Sequence, residues 1–199
     1  MTTLLLLAFL APRPAACQSP YGLPPPQASA PAKAPAGAGF IVFSRDGRTL
    51  AAAAGKTVRL WDAAAGQELG AIRCPDGPVS AASFSPDGQL LVTLSSSTLR
   101  VWEAGTGQET NLLGGPQRPV SSFAFAPDGR TLASVNWGVV HFWSLATGQE
   151  TGAIGDFVGK VASIAFSPDG RLLALGGQDR SIRLWDLGAS RVSAVMRPQ

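Results

Sequence analysis

One pattern, repeated four times at a fixed interval, constrains this chain more than any other feature. FSRDGRTLAAAAGKTVRLWD begins at Phe43, FSPDGQLLVTLSSSTLRVWE at Phe84, FAPDGRTLASVNWGVVHFWS at Phe125 and FSPDGRLLALGGQDRSIRLWD at Phe166. The turn aspartates Asp46, Asp87, Asp128 and Asp169 stand 41 residues apart each time. The tryptophans Trp61, Trp102, Trp143 and Trp185 are spaced by 41, 41 and 42, the extra residue falling in the loop before Ser181. A unit this small cannot bury its apolar face alone, so such a chain is built as a row of stacked copies.

Within each copy the residues dictate strands and turns. In Ser167-Pro168-Asp169-Gly170 the proline fixes φ, the aspartate bonds back to its own backbone, and the glycine accepts positive φ. The apolar run Leu172 to Leu175 is long enough for one buried strand and too short for a stable helix. Ser181 to Asp186 then alternates polar and apolar, as a half-buried strand does. A first strand ends at Phe43, Phe84, Phe125 or Phe166. A fourth follows the Gly-Gln-Glu turn, at Glu68–Arg73, Glu109–Leu113 and Glu150–Ile154, with Arg191–Met196 in the last copy. The reading predicts sixteen strands in four sets.

Turn, alternation, tryptophan and period agree four times over, and over residues 40–199 they closely resemble the tryptophan–aspartate (WD) repeat family of β-propellers. The resemblance implies an all-β array of four four-stranded antiparallel blades, at about residues 40–80, 81–121, 122–162 and 163–199. Rings of this family are usually closed by a blade shared between the termini. Here the row starts with an innermost strand and finishes with an outermost one, so the expectation is an open arc or half-ring and not a closed ring. Such an arc bares an apolar blade face at each end, and large bare patches mark association surfaces. Pairing of two copies into a homodimer, association with other propeller blades, or membership of a larger propeller are the assemblies that would cover them.

Many blades of the family also carry a buried hydrogen-bond network, with a His before the first strand, a Ser or Thr in the second, an Asp in the loop before the third, and the Trp. In this chain Asp179 holds the Asp position only in the last copy, and Pro75, Pro116 and Phe157 hold the His position. The network is therefore expected to be absent in its usual form, leaving packing of Trp and Phe and the strand ladders to hold the blades.

The resemblance implies a scaffold that binds a protein or peptide partner. Two sets of family loops share one face, and here they would gather Lys56, Asp76, Arg118, Trp137, Phe157, Lys160, Asp179 and Arg180. Trp137 is the one tryptophan off the repeat, and exposed Trp with Arg is the composition of interface hot spots. The competing reading folds Trp137 down onto its own hairpin, since large aromatics tend to bury.

Nothing in the sequence proposes a reaction. The single histidine, His141, stands where the other copies have Arg59, Arg100 and Arg183, which marks a surface substitution and not a base. The four turn aspartates sit in separate turns and act as backbone anchors, not as an acid cluster. No phosphate-cradling glycine loop or metal-ligand pair occurs, so no cofactor and no metal is expected. Two distant cysteines make neither a disulfide framework nor a metal site. Of the 16 basic residues 14 lie after residue 39 with all 13 acidic ones, leaving the repeats near neutral and without a nucleic-acid footprint.

The remaining residues precede the repeats. Residues 1–17 have an apolar core over Leu4 to Ala11, too short to span a bilayer and of the length of a signal-peptide core. Ala15-Ala16-Cys17 also resembles the end of a lipoprotein leader, with Cys17 as the residue that takes the lipid. Residues 18–39 carry Pro20, Pro24, Pro25, Pro26, Pro31 and Pro35 among alanines and read as an extended, semi-rigid linker. The expectation is an exported chain (periplasmic, extracellular or lipid-anchored), with a membrane tether at the N-terminus as one form of it.

Overall fold

The computed structural model describes residues 39–114, 119–155, 157 and 161–197. Among them the secondary structure is entirely β apart from turns, with sixteen strands. The first blade comprises β1 (Phe40–Phe43), β2 (Thr49–Ala54), β3 (Thr57–Asp62) and β4 (Glu68–Arg73). The second comprises β5 (Val79–Phe84), β6 (Leu90–Ser95), β7 (Thr98–Glu103) and β8 (Glu109–Leu113). The third is built from β9 (Ser122–Phe125), β10 (Thr131–Asn136), β11 (Val139–Ser144) and β12 (Glu150–Ile154). The fourth is built from β13 (Val161–Phe166), β14 (Leu172–Gly177), β15 (Ile182–Asp186) and β16 (Arg191–Met196). Each blade is an antiparallel meander in chain order, as the four-fold pattern predicts.

The first turn of each blade is held by its aspartate. Asp46 Oδ1 accepts from Ser44 Oγ at 2.6 Å and from the Arg48 amide at 3.0 Å, while the Thr49 amide donates to Ser44 Oγ at 2.9 Å. Gly47 completes the turn at φ 70°. Asp87 and Asp169 repeat the arrangement with Ser85 and Ser167. In the third blade Ala126 replaces that serine, and Asp128 Oδ2 accepts instead from Thr131 Oγ1 at 3.0 Å. The third-to-fourth strand pairing slips by one residue immediately before Trp61, Trp102, Trp143 and Trp185. That bulge twists each blade at the same place and seats the indole on its face.

Packing runs between successive blades. Ala51, Val58, Leu60 and Ile72 of the first blade meet Phe84, Leu91 and Trp102 of the second. Val92, Leu99, Val101 and Leu113 of the second meet Leu132, Trp143 and Leu145 of the third. Ala133, Val135 and Val140 of the third meet Val161, Ile164 and Leu173 of the fourth. Among the described residues no core cluster joins the fourth blade to the first. The four sheets form an open, propeller-like array.

Candidate functional site

A rung of polar pairs ties the third strand of each blade to its surroundings. Arg59 pairs with Glu68 at 3.0 Å, and His141 Nδ1 with Glu150 Oε1 at 2.7 Å. His141 thus fills an arginine's place in the rung and touches a carboxylate that belongs to the same blade. Arg100 reaches Glu109 and also Asp76, donating Nε to Asp76 Oδ2 at 2.6 Å and Nη2 to Oδ1 at 3.1 Å. In the fourth blade Val192 stands opposite Trp185 where the other blades have the glutamate, and Arg183 turns to Asp179, at 2.6 Å. These bonds hold the Asp76 carboxyl below its usual range. Asp179 is held down to about 2, first by the Ser181 hydroxyl, then by the Ser181 amide and by Arg183.

A reduced form of the buried network survives in the two middle blades. Trp102 Nε1 donates to Thr93 Oγ1 at 2.9 Å, and Trp143 Nε1 to Ser134 Oγ at 2.8 Å. Cys74 Sγ lies 3.7 Å from Thr93 Oγ1, so a buried thiol occupies ground next to Pro75, where the family has its histidine. Burial pushes that thiol up. Across the second and third strands of the first blade Ala52 pairs with Arg59, and it supplies no hydroxyl for Trp61.

The residues named for the loop face fall into three groups. Lys56 is exposed in the two-residue turn after β2, and Arg180 is exposed at φ 62°. Asp76 and Asp179 lie in surface loops with their carboxylates engaged as described. Phe157 is a correction. It is 9% exposed and packs edge-on against Trp185 at 5.5 Å, because the blade 3–blade 4 seam closes over it. It belongs to the core cluster between the third and fourth blades and not to the exposed loop face. Arg118, Lys160 and Cys17 lie outside the described residues, as do Pro116 and the leader.

Trp137 is 73% exposed and does not fold down onto its hairpin. It follows Asn136, the buried last residue of β10, and with Gly138 forms the two-residue turn to β11. Both turn residues have positive φ, 50° and 87°, which is type I′ geometry. Asn, Asp or Gly suit the first position of that turn, and a bulky aromatic there is strained. Beside the indole opens a cavity of about 300 Å³ lined by Pro119, Ser121, Gly138, Val161, Ala162 and Gln178. These residues come from the second-to-third-strand loops of the third and fourth blades, the stretch before β9, and β13, the innermost strand of the fourth blade. Sequence reading missed Pro119, Ser121, Ala162 and Gln178, which carry no motif and meet only because the two blades pack. Lys56, Asp76, Asp179 and Arg180 do not line it.

On the opposite side a broader depression of about 560 Å³ lies between the second and third blades, lined by Thr110, Asn111, Arg130 and Leu145. Asn111 Nδ2 is already spent on Leu145 O at 2.7 Å, and no aromatic stands there. Among the described residues no group of His, Cys, Asp and Glu could hold a metal ion.

Four successive four-stranded meanders, each with its tryptophan at a bulge and its loops aligned on one face, define a repeat scaffold of propeller type. The family model described as WD domain, G-beta repeat matches residues 39–62, 66–103, 107–144 and 153–186, and the chain belongs to that family. Proteins built from these repeats generally serve as scaffolds for other proteins. No curated protein matches the chain in sequence.

Proposed function

We propose that this chain is a non-catalytic scaffold that holds a protein or peptide partner on its loop face, with Trp137 as the principal contact. The observation that carries the reading is the exposed indole in a strained type I′ turn, beside a cavity between two blades. A side chain kept where the backbone disfavours it points to a use outside folding. An indole with an adjoining concave, half-apolar floor is the usual build of an interface hot spot. Asp76 and Asp179 are engaged by Arg100 and Arg183, and the turn aspartates by hydroxyls and backbone amides, so these groups act in the scaffold itself.

Capture of partners from the native host on immobilised wild-type chain and on Trp137→Ala tests this. The variant should lose about five- to thirtyfold in affinity for a captured protein, about 1–2 kcal/mol. Equal affinity for both chains would remove Trp137 from the site.

We further propose that the chain is exported, with residues 1–17 removed or with Cys17 lipidated as a tether. The apolar core from Leu4 to Ala11 and the proline-rich linker support this. Intact mass of the protein from its host should show loss of residues before Cys17 or Gln18. A mass retaining Met1 or Thr2 would sink it.

A further inference from the structure

The depression between the second and third blades differs in charge from the same place at the other two seams. Three repeat positions meet at each seam, one from the fourth strand of the earlier blade and two from turns of the later one. Between the first two blades they are Gly70, Gln89 and Glu103, and between the last two Gly152, Arg171 and Asp186. Between the second and third they are Asn111, Arg130 and Ser144, and all three line the depression. The turn aspartates Asp87, Asp128 and Asp169 are common to the three seams. The remaining positions leave one negative charge at the first seam, one of each sign at the last, and one positive charge at the middle.

The acid is replaced without loss of its local task. Asp62 and Asp186 cap the turn between the third and fourth strands, accepting from the amides of Ala64 and Ala65 and of Ala189. Ser144 keeps that cap as a neutral group, its Oγ accepting from the Thr147 amide at 3.4 Å. Among the described residues no acceptor takes the Ser144 hydroxyl proton, and the exposed Arg130 guanidinium makes no hydrogen bond or ion pair. Asp128 in the same turn is engaged instead by the amides of Arg130 and Thr131 and by the Thr131 hydroxyl. Asn111 forms a fixed wall: its Nδ2 bonds Leu145 O at 2.7 Å, and it lies so close to Gly148 that a Cβ there would meet its Oδ1 at 2.7 Å. Leu90 and Leu145 supply an apolar floor.

We propose that this depression binds an acidic peptide segment, with an Asp or Glu side chain on Arg130 and the Ser144 hydroxyl and a neighbouring aliphatic side chain on Leu90 and Leu145. A carboxylate accepts from both of the donors left open and matches the charge that the seam carries. The volume of about 560 Å³ holds a few side chains. An acid in place of Ser144, as Glu103 and Asp186 stand at the other seams, repels the same ligand and confines it to the middle one. The site is independent of the loop-face reading, since none of its residues lines the cavity beside Trp137.

Random heptapeptides displayed on phage, fused at their C-terminal end so that only side chains offer a carboxylate, are selected on the immobilised full chain carrying Trp137→Ala. The pool should become rich in Asp or Glu next to Leu, Ile or Val. The most enriched peptide, made with an amidated end, is then titrated by fluorescence anisotropy against wild type, Arg130→Gln and Ser144→Asp. Gln89, and Asp62 with Asp186, already hold these positions in other blades, so both variants should keep the wild-type urea midpoint. Each should bind the peptide about fivefold or more weakly, and wild type should lose as much when the peptide's acid is replaced by its amide. A pool without acidic residues, or a peptide that Arg130→Gln or Ser144→Asp binds as wild type does, would overturn the proposal. Wild type and Trp137→Ala should bind the peptide alike, which keeps failure here distinct from failure of the loop-face site.

Discussion

The indole Nε1 of Trp102 donates to Thr93 Oγ1 at 2.9 Å inside the seam between the first two blades, and Cys74 closes on the same oxygen from the neighbouring blade. A single hydroxyl therefore serves the tryptophan of one repeat and the thiol of the one before it. The bond joins two repeats in addition to bracing one.

Thr93→Val keeps the volume at this fully buried position and removes the acceptor. The Trp102 N–H is then buried without a partner, which costs about 1–3 kcal/mol. Urea denaturation of the full chain should show the midpoint lowered with the slope unchanged. A midpoint equal to that of wild type would mean that water reaches the indole and the seam is looser than its packing indicates.

The sheets were legible because their signal is local and repeated. Period two in Ser181 to Asp186, a Pro-Asp-Gly turn and a tryptophan every 41 residues each name a strand or a bend without reference to the rest of the chain. Thr93 and Ser134 stand nine residues before their tryptophans, and that spacing could have found their hydrogen bonds from sequence. Phe157 was different. It sits between strands with no alternation to place it, and whether it faces solvent or core is decided by how the fourth blade meets the third. The residues beside Trp137 were illegible for the same reason, since Pro119, Ser121 and Gln178 are distant in sequence and meet only through that packing. Exposure of Trp137 itself was an open choice until the type I′ turn fixed its direction.

Trp137 and Phe157, both named for the loop face, should now behave oppositely. Trp137→Asn places a residue suited to positive φ at the first turn position and should raise stability by about 0.5–1 kcal/mol while weakening partner capture. Phe157→Ala empties a site against Trp185 and should lower stability by about 3–5 kcal/mol. Thermal or urea unfolding of both variants checks the contrast. A Trp137→Asn protein that unfolds more easily than wild type would place the indole in the packing and weaken its case as a contact.

Acid sensitivity follows from the turns. Asp46, Asp87 and Asp169 are lowered chiefly by the hydroxyls of Ser44, Ser85 and Ser167, and Asp76 by Arg100. For Asp128 burial pushes upward, and the amides of Arg130 and Thr131 with the Thr131 hydroxyl outweigh it. Asp179 lies lowest, at about 2 against an ordinary value of 3.8. A carboxyl lowered on folding binds its proton more readily in the unfolded chain. Its contribution is therefore present above the unfolded value and is lost as pH falls through the folded one. Wild-type stability should hold down to about pH 4 and decline toward about pH 2. Asp179→Asn retains an acceptor for the Ser181 amide and cannot titrate. Its urea midpoint should start lower at neutral pH, because the charged bond to Arg183 is gone, and should fall less between those two pH values. A decline parallel to that of wild type would show that Asp179 keeps its charge no more firmly in the folded chain than in the unfolded one.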